Sequence, residues 1–189
     1  MLLAPVGEVA DYAWTPDGQA VVALEWMVEP LPDGSSAHQG RIVLKPLGNS
    51  PARSVLDLPG DAQRFLEIAT SPDGRRLAFT IAYDRSPAPV PAVAIELVNL
   101  DGTGRRQVVE PDFFIQHPVW SPDGKELVYF KGKGGTPPDD GESYLVSVDE
   151  QSPTPRLLLP RARLVAWSPD GKQALWVPEP VPSSGKGDL

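Results

Sequence analysis

The sequence predicts an all-β fold assembled from a repeated four-stranded antiparallel unit. Three observations predict it. A tetrapeptide, Ser or Thr followed by Pro-Asp-Gly, occurs at residues 15–18, 71–74, 121–124 and 168–171. The steps from proline to proline are 56, 50 and 47 residues, a period that belongs to solenoids, propellers or arrays. The chain also holds 23 prolines and 17 glycines in 189 residues, well above average usage, which together with its apolar periodicity points to a turn-rich β protein rather than disorder. Finally, apolar or alternating segments flank every tetrapeptide, the pattern of a β-hairpin.

The tetrapeptide has a physical rationale. Pro presets φ at the second position of a type I turn, and Asp tolerates the third. Gly supplies the positive φ needed to re-enter a strand, and the leading hydroxyl can bond back to the turn. The first repeat then gives strands at Tyr12–Trp14, Val21–Trp26, Arg41–Lys45 and Ser54–Leu58. The second gives Phe65–Thr70, Leu77–Ile81, Ala94–Asn99 and Gln107–Val109, with a turn at Asp101-Gly102. The third gives Pro118–Ser121, Glu126–Phe130, Tyr144–Val148 and Arg156–Leu159, with a turn at Asp149-Glu150. Four short antiparallel strands in some fifty residues make one blade of a β-propeller.

The fourth repeat is truncated. It offers Leu164–Trp167 and Ala174–Val177, followed by a Pro/Gly/Ser-rich tail at 178–189. At the other end, Leu2-Leu3-Ala4-Pro5 resembles Leu157-Leu158-Leu159-Pro160, the outer strand that precedes a blade. Residues 1–177 therefore read as about three complete blades with partial blades at both ends. Open sheet edges invite pairing. The chain is expected to be part of a larger propeller or, as the less favoured alternative, to self-associate through those edges.

The repeat resembles the TolB-like, WD40-like β-propeller repeat, in which an aromatic or apolar residue precedes Ser-Pro-Asp-Gly and a basic or polar residue follows. Trp120–Lys125 and Trp167–Lys172 match fully. Trp14–Gln19 has Thr15 in place of Ser, and the second copy has Thr70 where the others have Trp. The resemblance extends through Val177. It implies a fold rather than a reaction. Similar repeats occur in bacterial periplasmic binding and scaffold proteins, in extracytoplasmic sensor domains, and in propellers that gate prolyl-oligopeptidase-type hydrolases.

The formal net charge of −8 argues against nucleic acid or anionic membrane as a partner, because phosphate neutralisation needs clustered Lys and Arg. The chain has no cysteine, which excludes disulfides, thiol nucleophiles and Cys-ligated zinc. No apolar run reaches membrane-spanning length, and the first residues lack the pattern of a signal peptide. No Gly-x-Ser-x-Gly elbow and no phosphate-cradling glycine loop are present. The expectation is a non-catalytic module with no cofactor and no bound metal, recognising a protein, peptide or small ligand.

Strand alternation places the tetrapeptide turns on one face of the blades. The second-to-third-strand loops, Val28–Gly40, Ala82–Ala92 and Lys131–Glu142, lie on the other with the blade junctions. Function concentrates on irregular loops held by a rigid scaffold. The candidate ligand residues are therefore Trp26, Asp84, Arg85, Phe113, Phe114, His117, Arg161 and Arg163. Lys131, Lys133, Asp112, Asp139, Asp140 and Glu142 share that face. Asp139, Asp140 and Glu142 lack the ligand spacing of a known calcium loop and read as a solvated tip. At least one of Phe113 and Phe114 is expected to pack between blades, and Arg161 and Arg163 either hold an anion or form a solvated junction. The recurrence of Trp14, Trp120 and Trp167 argues for inter-blade packing, and that of the turn Asp for a structural cap.

Overall fold

Each tetrapeptide closes on itself through one set of hydrogen bonds. In the third repeat the Gly124 amide donates to the Ser121 carbonyl at 2.9 Å. The Ser121 hydroxyl donates to Asp123 Oδ1 at 2.7 Å, and the same oxygen accepts the Lys125 amide at 3.1 Å. The Glu126 amide donates back to the Ser121 hydroxyl at 3.0 Å. Thr15, Ser71 and Ser168 repeat the hydroxyl-to-carboxylate bond at 2.6, 2.5 and 2.6 Å. Gly18, Gly74, Gly124 and Gly171 all take φ between 66° and 70°, the left-handed region in which a side chain is costly. The hydroxyl and backbone bonds hold the carboxyls of Asp17, Asp73, Asp123 and Asp170 below their ordinary range, as expected when hydrogen bonds favour the ionised form.

These turns join the strands of blades. The computed structural model describes residues 8–30, 36–57, 63–83, 92–112, 114–132, 141–168 and 170–178. Blade 1 consists of β1 (Glu8–Trp14), β2 (Ala20–Pro30), β3 (Ser36–Pro46) and β4 (Arg53–Asp57). Blade 2 consists of β5 (Gln63–Thr70), β6 (Arg76–Tyr83), β7 (Ala92–Asn99) and β8 (Arg106–Asp112). Blade 3 consists of β9 (Ile115–Trp120), β10 (Glu126–Gly132), β11 (Gly141–Ser147) and β12 (Arg156–Leu159). Each is an antiparallel meander in sequence order, and β13 (Ala162–Trp167) with β14 (Ala174–Pro178) forms a two-stranded unit after blade 3. Among the described residues there is no helix, and the fold is the expected propeller array of three complete blades and a partial one. The outer strand expected at Leu2–Ala4 and the tail beyond Pro178 lie outside the described residues.

The core lies between blades. Val22, Leu24 and Ile42 of blade 1 pack against Ile68, Leu77, Phe79 and Ile81 of blade 2. Ile95, Leu97 and Val109 of blade 2 meet Ile115, Trp120, Leu127 and Tyr129 of blade 3. Val128 and Leu145 of blade 3 meet Leu164, with Trp167 against them. Trp120 shows the packing role expected of the repeated tryptophans. It is 6% exposed, its indole N–H donates to the Ala69 carbonyl at 2.9 Å, and the Arg76 guanidinium lies 5.1 Å from its ring centroid. Trp14 differs, at 53% exposed, because no blade precedes blade 1 among the described residues.

Charged groups also sit inside the array. Glu25 is fully buried and pairs with Lys45 and with Arg41, whose Nη2 is 2.7 Å away. Burial alone would raise the Glu25 carboxyl, but hydrogen bonds from Lys45 and Arg41 outweigh it and lower the group. Glu96 accepts from Tyr83 Oη and from Arg105 Nε, the latter at 2.6 Å. Burial, then the bond to Glu96, pushes Tyr83 up to about 12.

The strands run further than the apolar pattern marks. The expected loop Val28–Gly40 is largely ladder, since β2 and β3 pair from Ala20 opposite Pro46 to Pro30 opposite Ser36. Ala82 and Tyr83 pair with Val93 and Ala92, and Lys131 and Gly132 pair with Glu142 and Gly141. Main-chain hydrogen bonds need no apolar side chain, so a ladder continues past the point where alternation fails.

Candidate ligand site at the inner strands

The four inner strands, β1, β5, β9 and β13, share a register relative to the turn hydroxyl. Asp11, Glu67, His117 and Leu164 each stand four residues before Thr15, Ser71, Ser121 and Ser168. Near that position every inner strand carries one extra residue against its partner. The pairing shifts between Val9 and Asp11, between Phe65 and Ile68, between Gln116 and Val119, and between Leu164 and Ala166. A bulge bends the strand and re-aims a side chain. In β9 it is accompanied by φ of 54° at His117, an uncommon conformation for a residue with a Cβ.

Polar side chains at this level tie each blade to the next. Asp11 Oδ2 accepts the Ile68 amide at 2.8 Å, which joins blade 1 to blade 2. Glu67 Oε2 accepts the His117 amide at 2.7 Å, and Glu67 Oε1 lies 3.1 Å from His117 Nδ1. His117 Nε2 is 3.0 Å from Arg163 Nη1. A guanidinium can only donate. The network therefore assigns the lone pair to Nε2 and the proton to Nδ1, facing Glu67. The result is a relay from Glu67 through His117 to Arg163 across blade 2, blade 3 and the two-stranded unit.

The relay borders an open cleft of about 620 Å³. Leu66, Pro118, Val119 and Val165 form apolar parts of its wall, and Asp11 and Arg163 stand among its polar groups. Among the described residues no carboxylate pairs with Arg163. Both ring nitrogens of His117 are engaged, Nδ1 by Glu67 and Nε2 by Arg163. No group of three or more His, Cys, Asp or Glu that could hold a metal occurs among the described residues.

Of the residues singled out in the sequence, the structure brings His117 and Arg163 together. Trp26 stands within β2, opposite Glu8 and Gly40, and does not line the cleft. Phe114 lies at the junction of β8 and β9 with φ of 53°, and its carbonyl accepts the Gly132 amide at 3.0 Å. A Cβ on Gly132 would come within 2.8 Å of Phe114 Cβ, so this close approach requires glycine. Arg161, at φ 51°, precedes β13 outside the cleft wall. Asp84, Arg85, Phe113, Lys133, Asp139 and Asp140 lie outside the described residues. Lys131 pairs with Asp112 at 2.5 Å, and Glu142 accepts from Tyr144 Oη at 2.9 Å. Asp11 and Glu67 were not singled out. Their common offset from the turn hydroxyl is the signal that finds them.

No family model matches the chain. It is similar to dipeptidyl-peptidase 5 of Porphyromonas gingivalis, 30% identical over 73 residues. The match takes in 39% of this chain and 11% of that protein. Among solved structures, the β-propeller domain of the trilobed protease from Pyrococcus furiosus aligns with a TM-score of 0.57 at 14% identity. That alignment covers 84% of this chain and 46% of the other. Acylaminoacyl peptidase of Pyrococcus horikoshii aligns at 0.56 and 15% identity, over 87% of this chain and 27% of the other. An apocarotenoid oxygenase from Synechocystis aligns at 0.57 and 16% identity, over 88% and 42%. The chain thus spans a tenth of the curated relative and under half of these structures. At such identities the structural likeness concerns the fold, and the fold is that of β-propeller domains.

Proposed function

We propose that this chain is a non-catalytic recognition module, built from TolB-like repeats, that binds a peptide in the inner-strand cleft. The observation that carries this reading is the cleft itself. Bulged strands from consecutive blades present a charged relay beside an apolar wall, and both nitrogens of the relay histidine are occupied. The hydroxyl-carboxylate cluster repeated in four turns supports the TolB-like assignment. Titrating the chain with a short apolar peptide, followed by NMR, is expected to show saturable binding with the peptide left intact. Absence of binding, or cleavage by the chain alone, would contradict the reading.

A second reading is favoured by the similarity to dipeptidyl-peptidase 5 and to propellers of peptidases. In it the module filters substrate for a hydrolase domain encoded in the same gene. Sequencing the surrounding reading frame tests this. A continuous hydrolase domain with a Gly-x-Ser-x-Gly elbow is the expected outcome, and a frame without one overturns it.

A further inference from the structure

We propose that Arg163 is the anchor for the terminal carboxylate of an apolar peptide, and that Glu67 and His117 position it. The proposal rests on the reading of the cleft as a peptide site and names the group it recognises. Arg163 carries five N–H donors in a fixed fork, a geometry that matches a carboxylate in bidentate fashion. His117 engages one nitrogen, Nη1, at 3.0 Å. Among the described residues no acidic partner takes the others. Asp11 and Glu67 line the same cleft, but their carboxylates are taken by the Ile68 and Tyr12 amides and by His117. The free donors of Arg163 therefore remain available to an anion, and partial burial strengthens the contact.

The hold on Arg163 is built into the backbone. The β9 bulge and the positive φ of His117 set the imidazole between two blades. Glu67 fixes both ends of that residue, its amide at 2.7 Å and Nδ1 at 3.1 Å. The imidazole is thereby oriented with its acceptor toward Arg163. Strained backbone that the surroundings over-determine is where binding geometry is stored. Glu67 contributes its charge to the imidazole and does not neutralise Arg163 directly.

The same cleft chooses the body of the ligand. Leu66 and Val165 expose side chains on its wall, with Pro118 and Val119 beside them. Burying apolar ligand surface there adds roughly 25 cal/mol per Å². An inorganic oxyanion would use Arg163 alone, whereas a peptide ending in apolar residues uses both features.

The test compares the tripeptide Ala-Val-Leu carrying a free carboxylate with its C-terminal carboxamide, by isothermal titration calorimetry on the full chain. The free acid is expected to bind about 10- to 100-fold more tightly than the amide, the usual range for a charge-assisted bond. Arg163→Gln should abolish that preference, so that acid and amide bind equally. Glu67→Gln should reduce the preference in part, because Arg163 loses its positioning and keeps its charge. Inorganic phosphate at equal concentration should displace the acid only weakly. Equal binding of acid and amide would overturn the anchor while leaving the peptide reading in place. Binding of neither would overturn both. Full displacement by phosphate would overturn the apolar part of the assignment.

Discussion

Trp120 and Trp14 occupy the same position in their repeats and have opposite environments. The first is 6% exposed and hydrogen-bonded to the previous blade, and the second is 53% exposed. Trp120→Ala is expected to cost about 3–5 kcal/mol, since it empties a blade interface and removes the hydrogen bond to the Ala69 carbonyl. Trp14→Ala should cost about 1 kcal/mol or less. Urea unfolding of the two variants checks both values, and equal costs would contradict the packing account. Glu25→Ala should be as damaging as the first. It strands Arg41 and Lys45 beside a site that is fully buried, and breaking a buried pair from one side costs about 3–5 kcal/mol. At this scale the sequence exposes His117 and Arg163 through their place near an inner strand. It hides Asp11 and Glu67, because two acids among 25 acquire meaning only when counted from the turn hydroxyl.

The four turns behave as one kind of element. Each lowers the carboxyl of its Asp, first through the hydroxyl and then through the backbone N–H. A carboxyl with a depressed folded value contributes stability above its unfolded value. That contribution is lost as pH falls through the folded value. The unfolded value is about 3.9. Stability should therefore be flat from neutral pH down to about 5 and decline below it. Changing all four turn aspartates to Asn should weaken the chain at neutral pH and reduce its acid sensitivity, as read from thermal unfolding at several pH values. These turns were legible in the sequence because Pro, Asp and Gly each answer a local backbone requirement. The strand ends were not. The β2–β3 ladder reaches Pro30 and Ser36 through main-chain pairing that leaves no apolar trace. The bulges in the inner strands were equally silent, since an extra residue registers only against its partner strand.

At the scale of the molecule, apolar exposure gathers at the two ends of the array. Tyr12 and Trp14 of β1 are 63% and 53% exposed, and Leu175 and Trp176 of β14 are 63% and 51% exposed. Equivalent interfaces inside the array are buried. The isolated chain is therefore expected to self-associate, and a sharp monomer in light scattering would contradict this. The regular turns support the structure, while recognition is assigned to the opposite end of the inner strands. NMR mapping of backbone amides during titration with a free-carboxylate apolar peptide distinguishes the two faces. Shifts are expected at Ile68, His117 and Leu164, with Gly18, Gly74, Gly124 and Gly171 unmoved. Shifts confined to the four turn glycines would contradict that assignment.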